Sequence, residues 1–305
     1  MDAHAIRTWF DLLDWPLTPA EIPASSFSAQ GGSASGGQIP DSWITEGFIR
    51  APGCARLEGV RQRKAILAWR KLKKARRWVR VLRFVPSIRM IAIGNALGYG
   101  NCSDESDIDL VIVTTPKRVW FVRFCVVVLL RLFRQRPGEH TRDAICPSFF
   151  LTTEAMNLEG LQLPDSRFQI PDSQTPPDPY LLFWLTQLTV LFDRGGTYAA
   201  FWHANEQWVR RWLPDERARA VHPRIAVVSC ESSVVRCWIE WAWSSGIGDV
   251  FERWSRRYQE RRFSPEIRAL ANRDSRVVVN DRMLKFHTND RRQEYRDRWI
   301  EMLGG

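Results

Sequence analysis

Several features that identify common protein classes are missing from this 305-residue chain. Its six cysteines form no Cys-x-x-Cys pair, and no histidines follow at metal-finger spacing, so a disulfide framework is not expected. The start, MDAHAIRTWFDLLDWP, has three acidic residues and no long apolar core, which argues against a signal peptide. These absences predict a protein of the reducing cytoplasm.

Long uninterrupted apolar runs are also missing. The most apolar segment, residues 119–133, is interrupted by Arg123 and Arg131, and it is shorter than the ~20 residues that a membrane-spanning helix needs. We therefore predict a helix buried against a sheet and no transmembrane segment. Basic residues flank this helix and keep interfacial membrane attachment as the alternative: Lys117, Arg118, Arg134 and Arg136.

Acidic side chains are absent from residues 60–85 in a chain whose net charge is +10. Apolar residues in this segment recur every three to four positions, which predicts one long helix over about 58–84 with a single apolar stripe: Ala68, Leu72, Ala75, Val79 and Leu82. The basic remainder of helix 60–85 suits nucleic-acid phosphates, although a solvated charged face is the simpler interpretation. The overall charge favours nucleic acid, nucleotides or an acidic membrane surface without choosing among them.

The order of segments predicts four parts. Residues 1–57 suggest two short helices, a Gly/Ser-rich loop over 24–40 and a hairpin with its turn at Pro52-Gly53, which together look like a truncated winged helix. Residues 58–85 form the connecting helix, and 86–160 alternate strands and helices. Residues 175–305 are predicted to be mostly helical, with helices over 179–192, 199–212, 232–262 and 290–303 and two short extended pieces around 275–287.

Two carboxylates begin a predicted buried strand in the stretch GNALGYGNCSDESDIDLVIV. Residues two apart on a strand point to the same side, so Asp107 and Asp109 project together. Adjacent like charges are costly unless a cation lies between them, and carboxylate oxygens suit Mg²⁺ or Mn²⁺. Upstream, Gly94 and Asn95 end one strand and begin a short helix, where backbone N–H groups can bind phosphate. The pattern predicts metal-assisted transfer involving a nucleotide polyphosphate; a solvated strand start is the alternative.

This stretch resembles the signature of the DNA polymerase beta-like nucleotidyltransferase superfamily. That signature is a hydrophobic residue, Gly, and Ser or Gly, then a spacer, then Asp-hydrophobic-Asp/Glu-hydrophobic. Here Gly94-Asn95 and Asp107-Ile108-Asp109-Leu110 occupy these positions, and Ser106 precedes the first aspartate. The chain is also similar, more loosely and over most of its length, to bacterial and archaeal proteins described only as nucleotidyltransferase-domain proteins.

The resemblance implies an α+β fold with a polymerase beta-like mixed sheet and flanking helices, between the winged-helix-like module and a C-terminal helical domain. It implies that Asp107 and Asp109 bind two divalent ions, and that Gly94, Asn95 and Ser106 hold the phosphates of a nucleoside triphosphate such as ATP. A nucleoside monophosphate would pass to an acceptor hydroxyl with release of pyrophosphate. RNA, a protein side chain and a small molecule all remain open as the acceptor.

Two positions depart from the superfamily pattern. Asn95 stands where Ser or Gly is usual, and the strand AICPSFFLT has Ser148 at its centre where active members carry a third carboxylate. Asp143 before this strand and Glu154 after it are the two substitutes to consider. The second hypothesis is therefore a nucleotide- or nucleic-acid-binding regulator with a decayed transferase site, of the toxin–antitoxin kind.

Other conspicuous side chains are predicted to be structural. His287 is expected to pack, with phosphate contact as the alternative, and His203 and Asn205 are expected to hydrogen-bond within the helical region. Asp104 and Glu105 are expected to be loop acids. The tryptophans at 238, 241 and 243 are expected to lie in a core.

Overall fold

A mixed sheet is the centre of the computed structural model, which describes residues 1–22, 44–45, 47–49, 57–139, 142–163, 176–220, 224–227 and 246–304. The strands are β1 (Ile44–Thr45), β2 (Phe48–Ile49), β3 (Ile88–Ile93), β4 (Ile108–Thr114), β5 (Ile145–Thr152), β6 (Thr189–Asp193), β7 (Val277–Val279) and β8 (Met283–Phe286). Six of them form the sheet, in the order β6-β3-β4-β5-β8-β7. β4 and β5 run parallel, and the other neighbours are antiparallel. The predicted α+β class is confirmed.

Helices cover both faces of the sheet. They are α1 (Ala3–Leu12), α2 (Leu57–Leu82), α3 (Val119–Leu132), α4 (Pro179–Thr186), α5 (Thr197–Trp212), α6 (Gly246–Glu260), α7 (Pro265–Leu270) and α8 (Arg292–Gly304). Residues of α1, α4, α5 and α8 share one apolar core with one face of the sheet, which we call the front face. Residues of α2 and α3 share a second core with the opposite, back face, and α6 packs on α3.

The long helix and the central strand form for the reasons that their sequences suggest. The stripe of α2 faces the back core: Ala68, Ala75, Val79 and Leu82 are buried. β4 is buried on both faces, which explains its continuous β-branched run rather than an alternation of apolar and polar residues. α3 packs against the sheet, which confirms the prediction of a helix buried against a sheet that was made from its short length and its two arginines.

One prediction about local structure is wrong. Residues 179–192 were expected to form one helix, but α4 ends at Thr186 and residues 189–193 form β6, the edge strand beside β3. A short apolar run fits a helix or a buried strand equally well, and here the open edge of β3 provides a backbone partner. In the N-terminal region β1 and β2 form an antiparallel pair, in which Ile44 lies opposite Ile49.

The sheet contains strands from both sides of the predicted boundary between residues 160 and 175. β6, β7 and β8 all come from the region expected to be mostly helical. α1 likewise packs in the front core against α8. The winged-helix resemblance of residues 1–57 stays a prediction, and the loop 24–40, the turn at Pro52-Gly53 and the tryptophans at 238, 241 and 243 lie outside the described residues.

None of the helices in the described ranges has the length and apolarity needed to cross a bilayer.

Candidate functional site

The two aspartates of the motif lie at the start of β4, on the front face. Ile108 and Leu110 belong to the back core, so the alternation of the strand directs Asp109 to the opposite side. The front core continues along the same strand with Val111 and Val113. Both carboxylates are only partly buried, which leaves them accessible to a ligand.

The Gly94-Asn95 turn is held against this strand by its own hydrogen bonds. The Gly94 N–H donates to the Asp109 carbonyl at 3.1 Å, and the Asn95 side-chain amide donates to the Asp109 carboxylate at 2.6 Å. Asn95 adopts φ 56° and ψ −161°, a conformation that costs a non-glycine residue about 1–3 kcal/mol. A Cβ atom at Gly94 would lie 2.8 Å from Nε1 of Trp184. The turn is therefore closely fitted between β4 and α4.

A bulge in β5 directs two more polar side chains at Asp109. Asp109 pairs with Cys146, but Val111 pairs with Phe149, so β5 has one extra residue between these pairs. Pro147 lies in the bulge and has no N–H to offer to a regular ladder. The side chains of Cys146 and Ser148 lie close enough to the Asp109 carboxylate to stabilise its charged form and lower its pKa.

The electrostatics of the carboxylate pair favour protonation in the absence of a cation. Burial, together with the charge of Asp107, raises the pKa of Asp109 to about 6 against the lowering effect of the hydrogen bond from Asn95. Burial also raises the pKa of Asp107, while the ammonium group of Lys71 lowers it. The pKa of the Cys146 thiol is raised to about 12, first by burial and then by the charge of Asp109, so it donates as a neutral thiol.

The two acids considered as a third carboxylate have other partners. The Asp143 carboxylate forms ion pairs with Arg70 at 2.9 Å and with Lys71 at 2.7 Å. Glu154 lies beyond the far end of β5, eight residues from Cys146, and pairs loosely with Arg282 at 3.8 Å. Neither therefore replaces the missing acid beside Asp109; Ser148 and Cys146 occupy that position.

A buried lysine fixes the loop that leads into β4. Lys71 on α2 has 0% exposed surface, and its ammonium group donates to the carbonyls of Asp104 and Ser106 as well as pairing with Asp143. The Ser106 hydroxyl, predicted to hold phosphate, donates to the Ser103 carbonyl at 3.0 Å. Asp104 is a loop acid, as predicted, and pairs with Arg70 and Arg142.

Two cavities meet at Asn95. One has a volume of about 400 Å³ and follows the loop between Asn95 and Ser106, with Lys64 at its wall. The other has a volume of about 280 Å³ and extends toward β8. Four residues line both cavities: Asn95, Tyr180, Trp184 and Tyr295. The Tyr180 hydroxyl donates to the side-chain Oδ1 of Asn95 at 3.4 Å, so the Asn95 side chain stands between the two spaces.

The donor atoms beside Asn95 suit one divalent ion better than two. In the described part of the chain, no group of three His, Cys, Asp or Glu side chains is arranged to hold a metal. Mg²⁺, however, is commonly bound by one or two carboxylates together with phosphate oxygens and water. Asp107 and Asp109 meet that lesser requirement, and their raised pKa values are those of carboxylates without a compensating cation.

Sequence reasoning found the aspartates and the turn but missed the side chains around them. Tyr180 and Trp184 lie more than 70 residues from Asp109 in the chain, and no local pattern indicates that α4 packs over the turn. Lys71 looked like one more cation of a basic helix. Only Pro147 offered a signal, because proline within a strand indicates an edge or a bulge.

Two of the side chains predicted to be structural, Asn205 and His203, have side-chain partners, and His287 is packed in the interior. The Asn205 amide group bonds the Leu158 N–H at 2.8 Å, the Met156 carbonyl at 2.7 Å and the Trp208 indole at 2.9 Å, as expected for a buried helix-to-loop link. His203 is exposed and contacts Glu206 on the same helix. His287 is largely buried and lines the cavity near β8.

Comparisons with protein families, with curated proteins and with solved structures find no match for this chain. Its functional assignment therefore depends on the arrangement of Asp107, Asp109 and Asn95 and on the chemistry that these groups allow.

Proposed function

We propose that this protein is a nucleotidyltransferase of the DNA polymerase beta-like kind, which moves a nucleoside monophosphate from a nucleoside triphosphate to an acceptor hydroxyl. One observation carries the proposal: the two halves of the motif, separated by eleven residues, meet in the 2.6 Å hydrogen bond between Asn95 and Asp109. A solvated strand start would not need a strained turn held against a carboxylate whose pKa is about 6.

In this reaction the acceptor oxygen attacks the α-phosphorus in line. The new bond joins that oxygen to phosphorus, the bond to the bridging oxygen of pyrophosphate breaks, and the hydroxyl proton passes to water. Asp107 and Asp109 would hold Mg²⁺ or Mn²⁺, which when bound supplies charge stabilisation of the phosphates and the leaving group. Asn95 would exchange its bond to Asp109 for a phosphate oxygen, since its amide is a donor.

The cavity along the Asn95–Ser106 loop is the space that we assign to the nucleotide. Its volume of about 400 Å³ suits a nucleotide, and aromatic rings of Trp9, Tyr99 and Tyr180 line it. Lys64 provides a cation at its wall for phosphate oxygens. The Gly94 N–H is already bonded to Asp109, so phosphate contacts at this turn would come from Asn95 rather than from Gly94.

The decisive experiment compares labelling by each α-³²P-labelled nucleoside triphosphate, with Mg²⁺ or Mn²⁺ and cell extract, for the wild type and for the Asp107→Asn/Asp109→Asn variant. We expect labelled product from the wild type and a loss of at least about a hundredfold in the variant, because an amide cannot provide the anionic metal ligands. Glu154→Gln is the matched control, since it removes one carboxylate at the far end of β5.

Product that forms equally with the double variant would contradict the catalytic assignment. A parallel measurement of Mn²⁺ binding, by electron paramagnetic resonance with and without nucleotide, tests the metal site without activity. We expect the wild type to bind Mn²⁺ more tightly when nucleotide is present, and the double variant to lose this difference.

A second function follows from the uncharged bulge in β5. Because Cys146 and Ser148 stand where a third carboxylate would activate the acceptor, the protein could bind nucleotide without transferring it, as a regulator. Metal-dependent nucleotide binding without any labelled product would favour this function. Ser148→Asp then tests it directly, because a restored acid beside Asp109 should produce labelling where the wild type has none.

A further inference from the structure

Two helices of the back face end side by side, far from the carboxylate pair in the chain. α2 ends at Leu82 and α3 at Leu132, and the ring of Trp78 lies 5.5 Å from the ring of Phe133 in an edge-to-face contact. The chain leaves both helices at the surface: Phe84 and Phe133 directly follow the last helical turns. Residues that are 55 positions apart therefore form one surface.

Large apolar side chains are exposed at both helix ends. The exposed fractions are 45% for Val81, 64% for Phe84, 72% for Leu132 and 55% for Phe133. Exposure of single apolar residues is ordinary, but these four lie at the ends of two helices that the contact between Trp78 and Phe133 joins, and clustered apolar exposure usually marks an interaction site. Exposure of these four apolar side chains to water is unfavourable in free energy, and a partner that covered them would remove this cost.

Arginines surround these apolar tips. Arg77, Arg80, Arg131 and Arg134 are exposed, and with the four apolar residues they form what we call the helix-end patch. The sequence contains no acidic residue in 60–85 or in 117–138; the nearest following acid, Glu139, lies 3.7 Å from Arg131. The guanidinium of Arg83 also lies over the ring of Phe84, at 4.9 Å from its centre.

The combination of apolar tips and cations distinguishes among possible occupants. A second copy of the chain would bring an equally basic patch, and the like charges would repel. Nucleic acid would pair its phosphates with the arginines, but it would not bury Val81 and Leu132, because it has no aliphatic surface on which they could pack. An anionic bilayer satisfies both, since apolar tips enter the acyl region while arginines keep their charges among the headgroups.

We infer that the helix-end patch attaches the protein to the surface of anionic membranes. The attachment is peripheral and involves side chains rather than a spanning helix. It should weaken with salt, because each cation near an anionic surface contributes through a field that is screened within about 10 Å at 0.1 M ionic strength. Asp109 lies on the front face of the sheet, whereas α2 and α3 cover the back face, so the patch and the carboxylate pair are on different sides of the sheet.

Flotation of the full-length protein with vesicles tests this inference. We expect binding to phosphatidylcholine vesicles that contain about 40 mol% of the anionic lipid phosphatidylglycerol and none to pure phosphatidylcholine, because anionic headgroups attract clustered arginines. Phe84→Ser/Leu132→Ser/Phe133→Ser should reduce the partition coefficient about tenfold or more. Arg80→Gln/Arg134→Gln should reduce it by about fivefold for each charge.

The matched control is Met302→Ser/Arg298→Gln on α8, which removes an exposed apolar residue and an exposed arginine elsewhere. Thermal melts establish that all variants fold. Wild-type protein that does not float with anionic vesicles, or a control that loses as much as the patch variants, would overturn the inference. Loss of RNA binding in Arg80→Gln/Arg134→Gln, with no vesicle binding by the wild type, would assign the patch to nucleic acid instead.

Discussion

At the scale of single residues, His287 shows how burial alone sets a charge state. Its ring is largely buried, and its Nδ1 has no hydrogen-bond partner among the described residues. Burial, together with the nearby cations of Lys285 and Arg292, lowers the pKa of His287 to about 4 against the opposing charge of Asp290. Lys285 is affected in the same way, because burial lowers its pKa to about 8. The cavity toward β8 therefore has a neutral histidine at physiological pH.

We expect the stability of the protein to fall as the pH falls from about 6.5 to 4, in part because of His287. Its pKa is lower in the folded than in the unfolded chain, so the unfolded chain binds the proton more readily in this window. The full difference is worth about 3 kcal/mol at most. Urea denaturation of His287→Gln should show a shallower loss of stability between these pH values.

His203→Gln is the control for this experiment, because His203 has an 88% exposed side chain. It should reproduce the pH profile of the wild type. An unchanged profile for His287→Gln would mean that the histidine is already protonated, or solvated, in the folded protein.

At the scale of structural elements, the link between α2 and the loop before β4 depends on Lys71. A lysine with no exposed surface is rare unless it is paired, and here one carboxylate and two carbonyls compensate its charge. The pairing orients the strand start that carries Asp107 and Asp109. α2 is thus a connecting element and also part of the support of the candidate site.

Lys71→Met should destabilise the protein by about 3–5 kcal/mol, because it removes one of the two cations paired with Asp143 and leaves two buried carbonyls without the donor that they have in the wild type. The free energy of unfolding in urea measures the effect. Lys73→Met, an exposed lysine on the same helix, should change it by less than about 0.5 kcal/mol. Equal effects of the two substitutions would contradict the role that we give to Lys71.

At the scale of the whole molecule, the ends of the described chain meet in the front core. The fully buried Trp299 of α8 donates its indole N–H to the Ala5 carbonyl of α1 at 3.0 Å. Its ring packs edge-to-face on the ring of Trp9, with 6.0 Å between the ring centres. The predicted division at residues 57 and 175 would place these partners in different modules. Their shared core instead favours cooperative unfolding.

Trp299→Ala should cost about 3–5 kcal/mol, since it deletes a fully buried indole and leaves a cavity. Circular dichroism and tryptophan fluorescence should lose signal in one coincident thermal transition, at a lower temperature than in the wild type. Trp254→Ala on α6, whose side chain is 48% exposed, should have a smaller effect. Two separate transitions in the wild type would support independent modules.

The sequence by itself determined the parts of this protein whose signals are local. The apolar stripe of α2 and the continuous β-branched run of β4 are each read within one element, and both are confirmed as secondary structure. The position of Asp107 and Asp109 at the head of β4 is likewise read from adjacent residues. Periodicity and alternation follow from backbone geometry, so they need no knowledge of distant residues.

Only the tertiary structure decided which distant groups surround those aspartates. The bulge at Pro147 turned Cys146 and Ser148 toward Asp109, and packing of α4 placed Tyr180 and Trp184 over the Asn95 turn. The same apolar run at 189–193 became a strand because an edge was open beside it. These features depend on contacts between residues that are tens of positions apart. Such contacts form only when the chain folds, so no local sequence pattern reports them.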